Sequence, residues 1–126
     1  MSDRPYRTRL LVAPRVRASG VEHRRRGATA LLDWAHVEAA RAAEVGEPQG
    51  VRTVVFDLIV EESGGRVALR LDAEPGEEAQ QLARAVAEAL GERALPSLKS
   101  LAGDGIPTRW YPDLEGFEEA GAEELG

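Results

Sequence analysis

The sequence predicts an α+β fold in which a curved antiparallel sheet, or a partly open barrel, is followed by a C-terminal amphipathic helix and an irregular acidic tail. Three observations lead to this prediction. Residues 51–61 and 66–71 are rich in apolar strand formers and flank the turn Ser63-Gly64-Gly65, a pattern typical of a β-hairpin. Residues 79–90 repeat apolar side chains at helical spacing. After Gly91, prolines, glycines and acidic residues are frequent.

The hairpin is the strongest of these elements. Its first strand has one apolar face made by Val54, Phe56, Leu58 and Val60. Val55 and Ile59 lie on the other face, and a strand that is apolar on both faces is typically central in its sheet. Asp57 shares this second face, which the pattern predicts to be the less buried one. We expect its carboxylate to pair with Arg52 or Arg70 across strands.

Shorter apolar runs predict further strands before the hairpin. Residues 7–12 predict a strand that continues as residues 15–18 beyond a bend at Pro14. Residues 21–26 contain little apolar surface and predict an exposed edge strand or a hairpin arm. Residues 28–32 predict a short strand that ends before a helix.

Two helices are predicted from their capping residues. Asp33 is a good N-cap because its carboxylate accepts from free amides of the first turn, so a helix is expected from Trp34 to about Glu44 at the rim of the sheet. The amphipathic helix is expected to begin at Pro75 and to end at Gly91. These elements divide the chain into an α+β domain at residues 1–91 and a C-terminal extension at residues 92–126.

The extension contains three short segments. Residues 95–101 predict one helical turn with Ser97 as a cap, and residues 106–112 are held extended by their prolines. Asp113 is expected to cap a short acidic helix that reaches about Glu124.

Composition limits the function. A chain of 126 residues is expected to form one hydrophobic core. It contains no cysteine, which excludes disulfides, thiolate nucleophiles and cysteine-ligated metals. It has neither a signal-peptide core nor an apolar run of about 20 residues, which predicts no transmembrane segment and a cytoplasmic location. Net charge falls from +6 in residues 1–26 to −9 in residues 72–126.

No catalytic, metal or cofactor site is predicted. The two histidines, His23 and His36, lie in different elements without carboxylates at ligand spacing, and both are expected on the surface. Ser97 and Lys99 lack the sequence context of a serine nucleophile, and the glycine pairs lack the strand and helix that frame a phosphate loop. The prediction is therefore a protein that is not an enzyme.

The order of elements resembles that of the bacterial PH-like domains, in which a curved antiparallel sheet is closed by a C-terminal helix. The resemblance covers about residues 7–90 and includes the segments VVFDLIVEESGGRVALRL and EEAQQLARAVAEAL. Residues 32–37, with the sequence LDWAHV, are similar to the hydrophobic-Trp-x-x-hydrophobic step between strands of those domains. The resemblance implies a binding scaffold without catalytic residues, such as an adaptor or regulatory subunit of a bacterial cytoplasmic signalling complex.

Two surfaces are candidate binding sites. Arg109, Trp110 and Tyr111 lie between two prolines and include two adjacent aromatic rings. Such a stiff, extended segment with large apolar side chains either docks on its own sheet or binds a protein partner. Arg24, Arg25 and Arg26 offer the alternative, binding of acidic lipid headgroups or nucleic acid. The run lacks interleaved aromatic residues and the protein is acidic, so nucleic acid is disfavoured and peripheral membrane contact is the weaker alternative to a protein partner.

Overall fold

The computed structural model of the chain describes residues 6–46 and 50–125, and within these ranges it contains eight strands and three helices. The strands are β1 (Arg7–Leu10), β2 (Val12–Val16), β3 (Gly20–Arg25), β4 (Ala28–Asp33), β5 (Val37–Gly46), β6 (Arg52–Glu62), β7 (Gly65–Ala73) and β8 (Trp110–Tyr111). The helices are α1 (Glu77–Leu90), α2 (Pro96–Asp104) and α3 (Leu114–Glu124). Single 3₁₀ turns lie at Trp34–His36 and Gly91–Arg93.

The strands form two sheets. A five-stranded sheet has the order β1-β7-β6-β5-β8, in which β5, β6 and β7 pair antiparallel and the edge strands β1 and β8 run parallel to their neighbours. This sheet is strongly curled into a half-barrel. Strands β2, β3 and β4 form a smaller antiparallel sheet. The predicted α+β class with a curved sheet is confirmed.

The curled sheet is buried on both faces, and its central strand β6 has apolar side chains on each of them. Val54, Phe56, Leu58 and Val60 of β6 belong to the main core, which α1, α2 and the smaller sheet complete. On the opposite face, Val55 packs against Phe117 of α3, and Ile59 packs against Tyr6. Each such side chain contributes about 1.5 to 3 kcal/mol by leaving water. The predicted hairpin and the central position of β6 are confirmed.

The helix predicted from Trp34 to about Glu44 is wrong. Only the turn at Trp34–His36 is helical, and there the Asp33 carboxylate accepts a hydrogen bond from the Ala35 amide at 2.8 Å, as the capping prediction requires. Strand β5 follows and pairs with β6 along its length. Alanine has the highest helix propensity, but this preference is worth less than about 1 kcal/mol per residue. Backbone hydrogen bonding to β6 and burial of the small side chains therefore outweigh it.

Strand β3 lies in the middle of the smaller sheet. The expected edge position is therefore wrong, whereas the expected hairpin arm is confirmed. Val21 and His23 of this strand are buried, so the expected surface position of His23 is also wrong. His36 is exposed, as expected. The error arose because residues 21–26 show little apolar surface, although their sheet covers the main core.

The C-terminal extension is more regular than the predicted irregular tail. Gly91 caps the end of α1, as predicted, but the helix begins at Glu77 and not at Pro75. Helix α2 then packs against α1 and adds Leu98 and Leu101 to the main core. Strand β8 and helix α3 then return to the curled sheet. Residues 92–125 thus share the core of the preceding residues.

Of the two caps predicted after residue 91, one is present. Ser97 does not cap α2, because Leu95 occupies the N-cap position. The buried Ser97 hydroxyl instead donates a hydrogen bond to Glu124 and accepts one from the Ala42 amide. The predicted cap of α3 is confirmed, since the Asp113 carboxylate accepts from an amide of the first turn at 2.7 Å.

Candidate functional site

Strand β8 places the predicted aromatic residues at one edge of the curled sheet. Trp110 lies opposite Glu44 of β5 in a parallel pairing, and the Glu44 amide donates to the Arg109 carbonyl at 3.1 Å. We call Arg109, Trp110 and Tyr111 the aromatic edge. The prolines predicted an extended segment, and pairing with β5 fixes that segment to the domain.

The two rings of the aromatic edge have different environments. Tyr111 packs into the small core under α3, with its ring edge-on to Phe117 at 5.8 Å between centroids. Trp110 is 50% exposed, and the Arg52 guanidinium lies 5.5 Å from the centre of its ring. Arg109 is exposed. Tyr111 therefore docks on its own domain, while Trp110 presents a large part of its surface to solvent.

The three arginines of the alternative site lie at the end of the β3–β4 hairpin. Arg24, Arg25 and Arg26 are all exposed, and Arg26 and Gly27 adopt the positive φ angles of 53° and 78° that make the turn. Arg24 donates to the Gly27 carbonyl at 2.9 Å. Within residues 6–46 and 50–125, none of the three arginines forms an ion pair. We call these residues the arginine hairpin.

A buried row of charges crosses the three central strands on the face covered by α3. Arg41 of β5, Asp57 of β6 and Arg70 of β7 lie directly opposite one another in the strand register. The side chains of Arg41 and Asp57 are 0% exposed and that of Arg70 is 4% exposed. Two guanidinium groups thus share one carboxylate away from water.

Helix α3 completes this buried charge cluster. Arg70 makes two hydrogen bonds to the Asp57 carboxylate, at 2.8 and 3.1 Å, and a third to Glu118 at 2.9 Å. Arg41 donates to Asp57 at 3.3 Å and to the Phe117 carbonyl at 2.7 Å. Since the partners come from three strands and a helix, the cluster ties α3 to the sheet.

Two further contacts border the cluster. Arg41 donates to the Tyr6 hydroxyl at 2.9 Å, and its other terminal nitrogen lies 3.6 Å from the Glu124 carboxylate. The close approach of α3 requires Gly121, because a Cβ atom there would lie 2.6 Å from an Arg41 nitrogen. A residue without a side chain at this position therefore lets the helix reach the sheet.

The pKa values of two groups respond to this environment. Burial raises the pKa of the Tyr6 hydroxyl above its ordinary value, although the charge of Arg41 opposes the change. Burial disfavours the charge on Arg70, but the carboxylates of Asp57 and Glu118 outweigh it and raise the pKa of Arg70. Arg70 therefore remains a cation inside the protein.

The sequence predicted part of this cluster. The pairing of Asp57 with Arg70 is confirmed, but Arg52 pairs with Glu44 instead. The expectation that Asp57 lies on a less buried face is wrong, because α3 covers that face and the Asp57 side chain is fully buried. Arg41 was missed because its segment was interpreted as a helix. The signal that could have placed it is its even spacing from Val45, which puts both residues on one face of a strand. Val37 lies on the opposite face, because the register shifts between Val37 and Ala39.

An apolar cleft of about 710 Å³ opens beside the cluster, between the start of α3 and the ends of several strands. Val45, Val55 and Arg70 line it with buried side chains. Leu10, which is 70% exposed, and Leu114, which is 42% exposed, add apolar surface from β1 and from the start of α3. Sequence reasoning missed this cleft because residues from six elements meet there.

The polar groups of the cleft are mainly acidic. Asp72, Asp113 and Glu115 are exposed side chains that line it, and Arg70 is its only guanidinium group among the residues described. Arg70 is already hydrogen-bonded to two carboxylates. No group of three histidine, aspartate or glutamate side chains that could hold a metal ion occurs in the part of the chain that the structure describes.

Comparison with known proteins gives no match. No protein-family model, no curated protein and no solved structure matches this chain at a significant level. The resemblance to PH-like domains therefore stays a prediction. In the described ranges, no helix is long and apolar enough to cross a membrane.

Proposed function

We propose that this protein is a non-enzymatic interaction module, an adaptor or regulatory subunit of a bacterial cytoplasmic signalling complex, and that it binds a protein partner through the aromatic edge. The observation that carries this proposal is the half-exposed ring of Trp110 on a strand that is hydrogen-bonded to the sheet. The predicted resemblance to PH-like domains is in line with this proposal, because such domains are binding scaffolds.

The aromatic edge has the physical properties of an interaction anchor. Tryptophan and arginine are enriched among the residues whose truncation weakens protein complexes most. Because Tyr111 is packed against Phe117 and β8 is paired with β5, the backbone of Trp110 is already held in place before a partner binds. A pre-ordered segment loses less conformational entropy on binding than a mobile one.

Replacing Trp110 by alanine is the test of this proposal. We expect the Trp110→Ala protein to fold normally and to lose at least about 30-fold in affinity for its partner, as for a typical hot-spot residue. Partners are first isolated with the unmodified protein as bait, and the affinity of each purified partner is then measured by calorimetry.

The matched control is Ile106→Ala, which truncates a 68% exposed apolar side chain just before the aromatic edge. It is expected to leave the affinity within about twofold, because a scattered exposed apolar side chain carries little binding energy. Equal affinities for the Trp110→Ala and unmodified proteins would rule out the aromatic edge as the interface.

The arginine hairpin supports a second candidate function, binding of an anionic surface. Its three exposed guanidinium groups, which form no ion pair within residues 6–46 and 50–125, would each contribute about 1 kcal/mol near acidic lipids. Replacement of all three by glutamine is therefore expected to reduce binding to phosphatidylserine vesicles about 100-fold in a sedimentation assay. The control replaces Arg7, Arg66 and Arg84, which are also exposed, and changes net charge equally. Equal losses in the two variants would show that net charge alone is responsible.

A further inference from the structure

We propose that the apolar cleft is a second, separate binding site and that it takes a small amphipathic molecule with an apolar chain and a cationic head group. None of Arg109, Trp110 and Tyr111 lines the cleft. The proposal therefore goes beyond protein binding at the aromatic edge and stands independently of it.

The size and lining of the cleft favour a small molecule. Its volume of about 710 Å³ lies inside the range of roughly 300 to 1,000 Å³ that is usual for small-molecule sites. Buried Val45 and Val55 form part of its lining, and Leu10 and Leu114 extend the apolar surface toward solvent. A concave apolar site with a few polar groups matches the general form of such sites.

The charges of the cleft determine the sign of the head group. Three carboxylates, Asp72, Asp113 and Glu115, line the cleft with exposed side chains. Although Asp113 caps α3, its charge remains beside the cleft. The positive charge of Arg70 is opposed at hydrogen-bond distance by Asp57 and by Glu118. The cleft therefore attracts a cation and repels an anion.

The test compares two probes with the same tail and opposite charges. Decylammonium and decanoate are titrated into the full chain by calorimetry at neutral pH, below their micelle-forming concentrations. We expect decylammonium to bind at least about tenfold more tightly at low salt, and the difference to shrink as salt screens the exposed carboxylates. NMR shift changes for decylammonium are expected at the methyl groups of Leu10, Val55 and Leu114.

A pair of variants of equal net charge isolates the role of the acidic residues. Asp72→Asn with Glu115→Gln is expected to reduce the preference for decylammonium to about threefold or less. Glu88→Gln with Glu119→Gln removes two exposed charges that do not line the cleft, one of them a single turn further along α3. This control is expected to retain the preference.

Four outcomes would overturn the proposal. Tighter binding of decanoate would show that the assigned sign is wrong. Equal effects of the two double variants would show that the preference reflects net charge. NMR shift changes remote from Leu10, Val55 and Leu114 would show that decylammonium binds outside the cleft. A partner peptide that fills the cleft in a complex would assign the cleft to another occupant. Loss of partner binding in Trp110→Ala would not affect any of these results.

Discussion

Replacing Asp57 by alanine is expected to destabilise the protein by about 3 to 5 kcal/mol, the usual loss when one partner of a buried ion pair is removed. The Asp57 carboxylate accepts hydrogen bonds from both Arg41 and Arg70, whose side chains are 0% and 4% exposed. Without this carboxylate, the two buried positive charges would lose the negative charge that lies between them and would have almost no access to water. Urea unfolding monitored by circular dichroism measures the change in the free energy of unfolding.

The control for this prediction is Asp72→Ala on strand β7. This carboxylate is exposed, and its removal is expected to change the free energy of unfolding by no more than about 0.5 kcal/mol. If Asp57→Ala changed stability as little as the control, the two arginines would have to be hydrated or paired otherwise in solution. Since whole domains are stable by only about 5 to 15 kcal/mol, the expected loss is easily measured.

Local patterns in the sequence were sufficient to predict the β6–β7 hairpin, α1 and the cap of α3. The hairpin also aligns Asp57 with Arg70, so two of the three residues of the charged row could be predicted from one turn and the alternation of two strands. Such predictions succeed because partners close in sequence leave few alternatives for the register.

Features that depend on distant segments could not be predicted in this way. The alanines of β5 suit a helix, and only pairing with β6 and β8 makes them a strand. Arg41 therefore appeared to be a helix residue when it is part of the buried charge cluster. The cleft combines residues of β1 with residues of α3, which are about 100 positions apart, and no local pattern indicates their proximity.

Helix α3 connects the features that bear on function. It covers the charge cluster with Glu118 and Phe117, begins at the cleft with Leu114, and supports Tyr111 of the aromatic edge. Phe117 occupies the centre of these contacts. A change at this residue is therefore expected to affect both stability and the aromatic edge.

Truncating Phe117 to alanine is expected to cost about 3 to 5 kcal/mol in the free energy of unfolding. The ring is 0% exposed, and the Arg41 guanidinium carbon lies 3.7 Å from its centre. Removal therefore creates a cavity and also ends a cation–π contact with a buried charge. Tyr111 would lose the ring it packs against. Urea unfolding gives the total loss, and hydrogen exchange of the Glu44 amide reports on the pairing of β8 with β5.

Two variants separate packing from the aromatic contact. Phe117→Leu keeps an apolar side chain and is expected to lower the free energy of unfolding by only about 1 to 2 kcal/mol. Leu114→Ala truncates a half-exposed residue of the same helix and is expected to lower the free energy of unfolding by less than that. If α3 anchors the aromatic edge, the Glu44 amide exchanges faster in Phe117→Ala than in either variant, under conditions where all three remain folded. Unchanged exchange at this amide would show that β8 pairs with the sheet without help from α3.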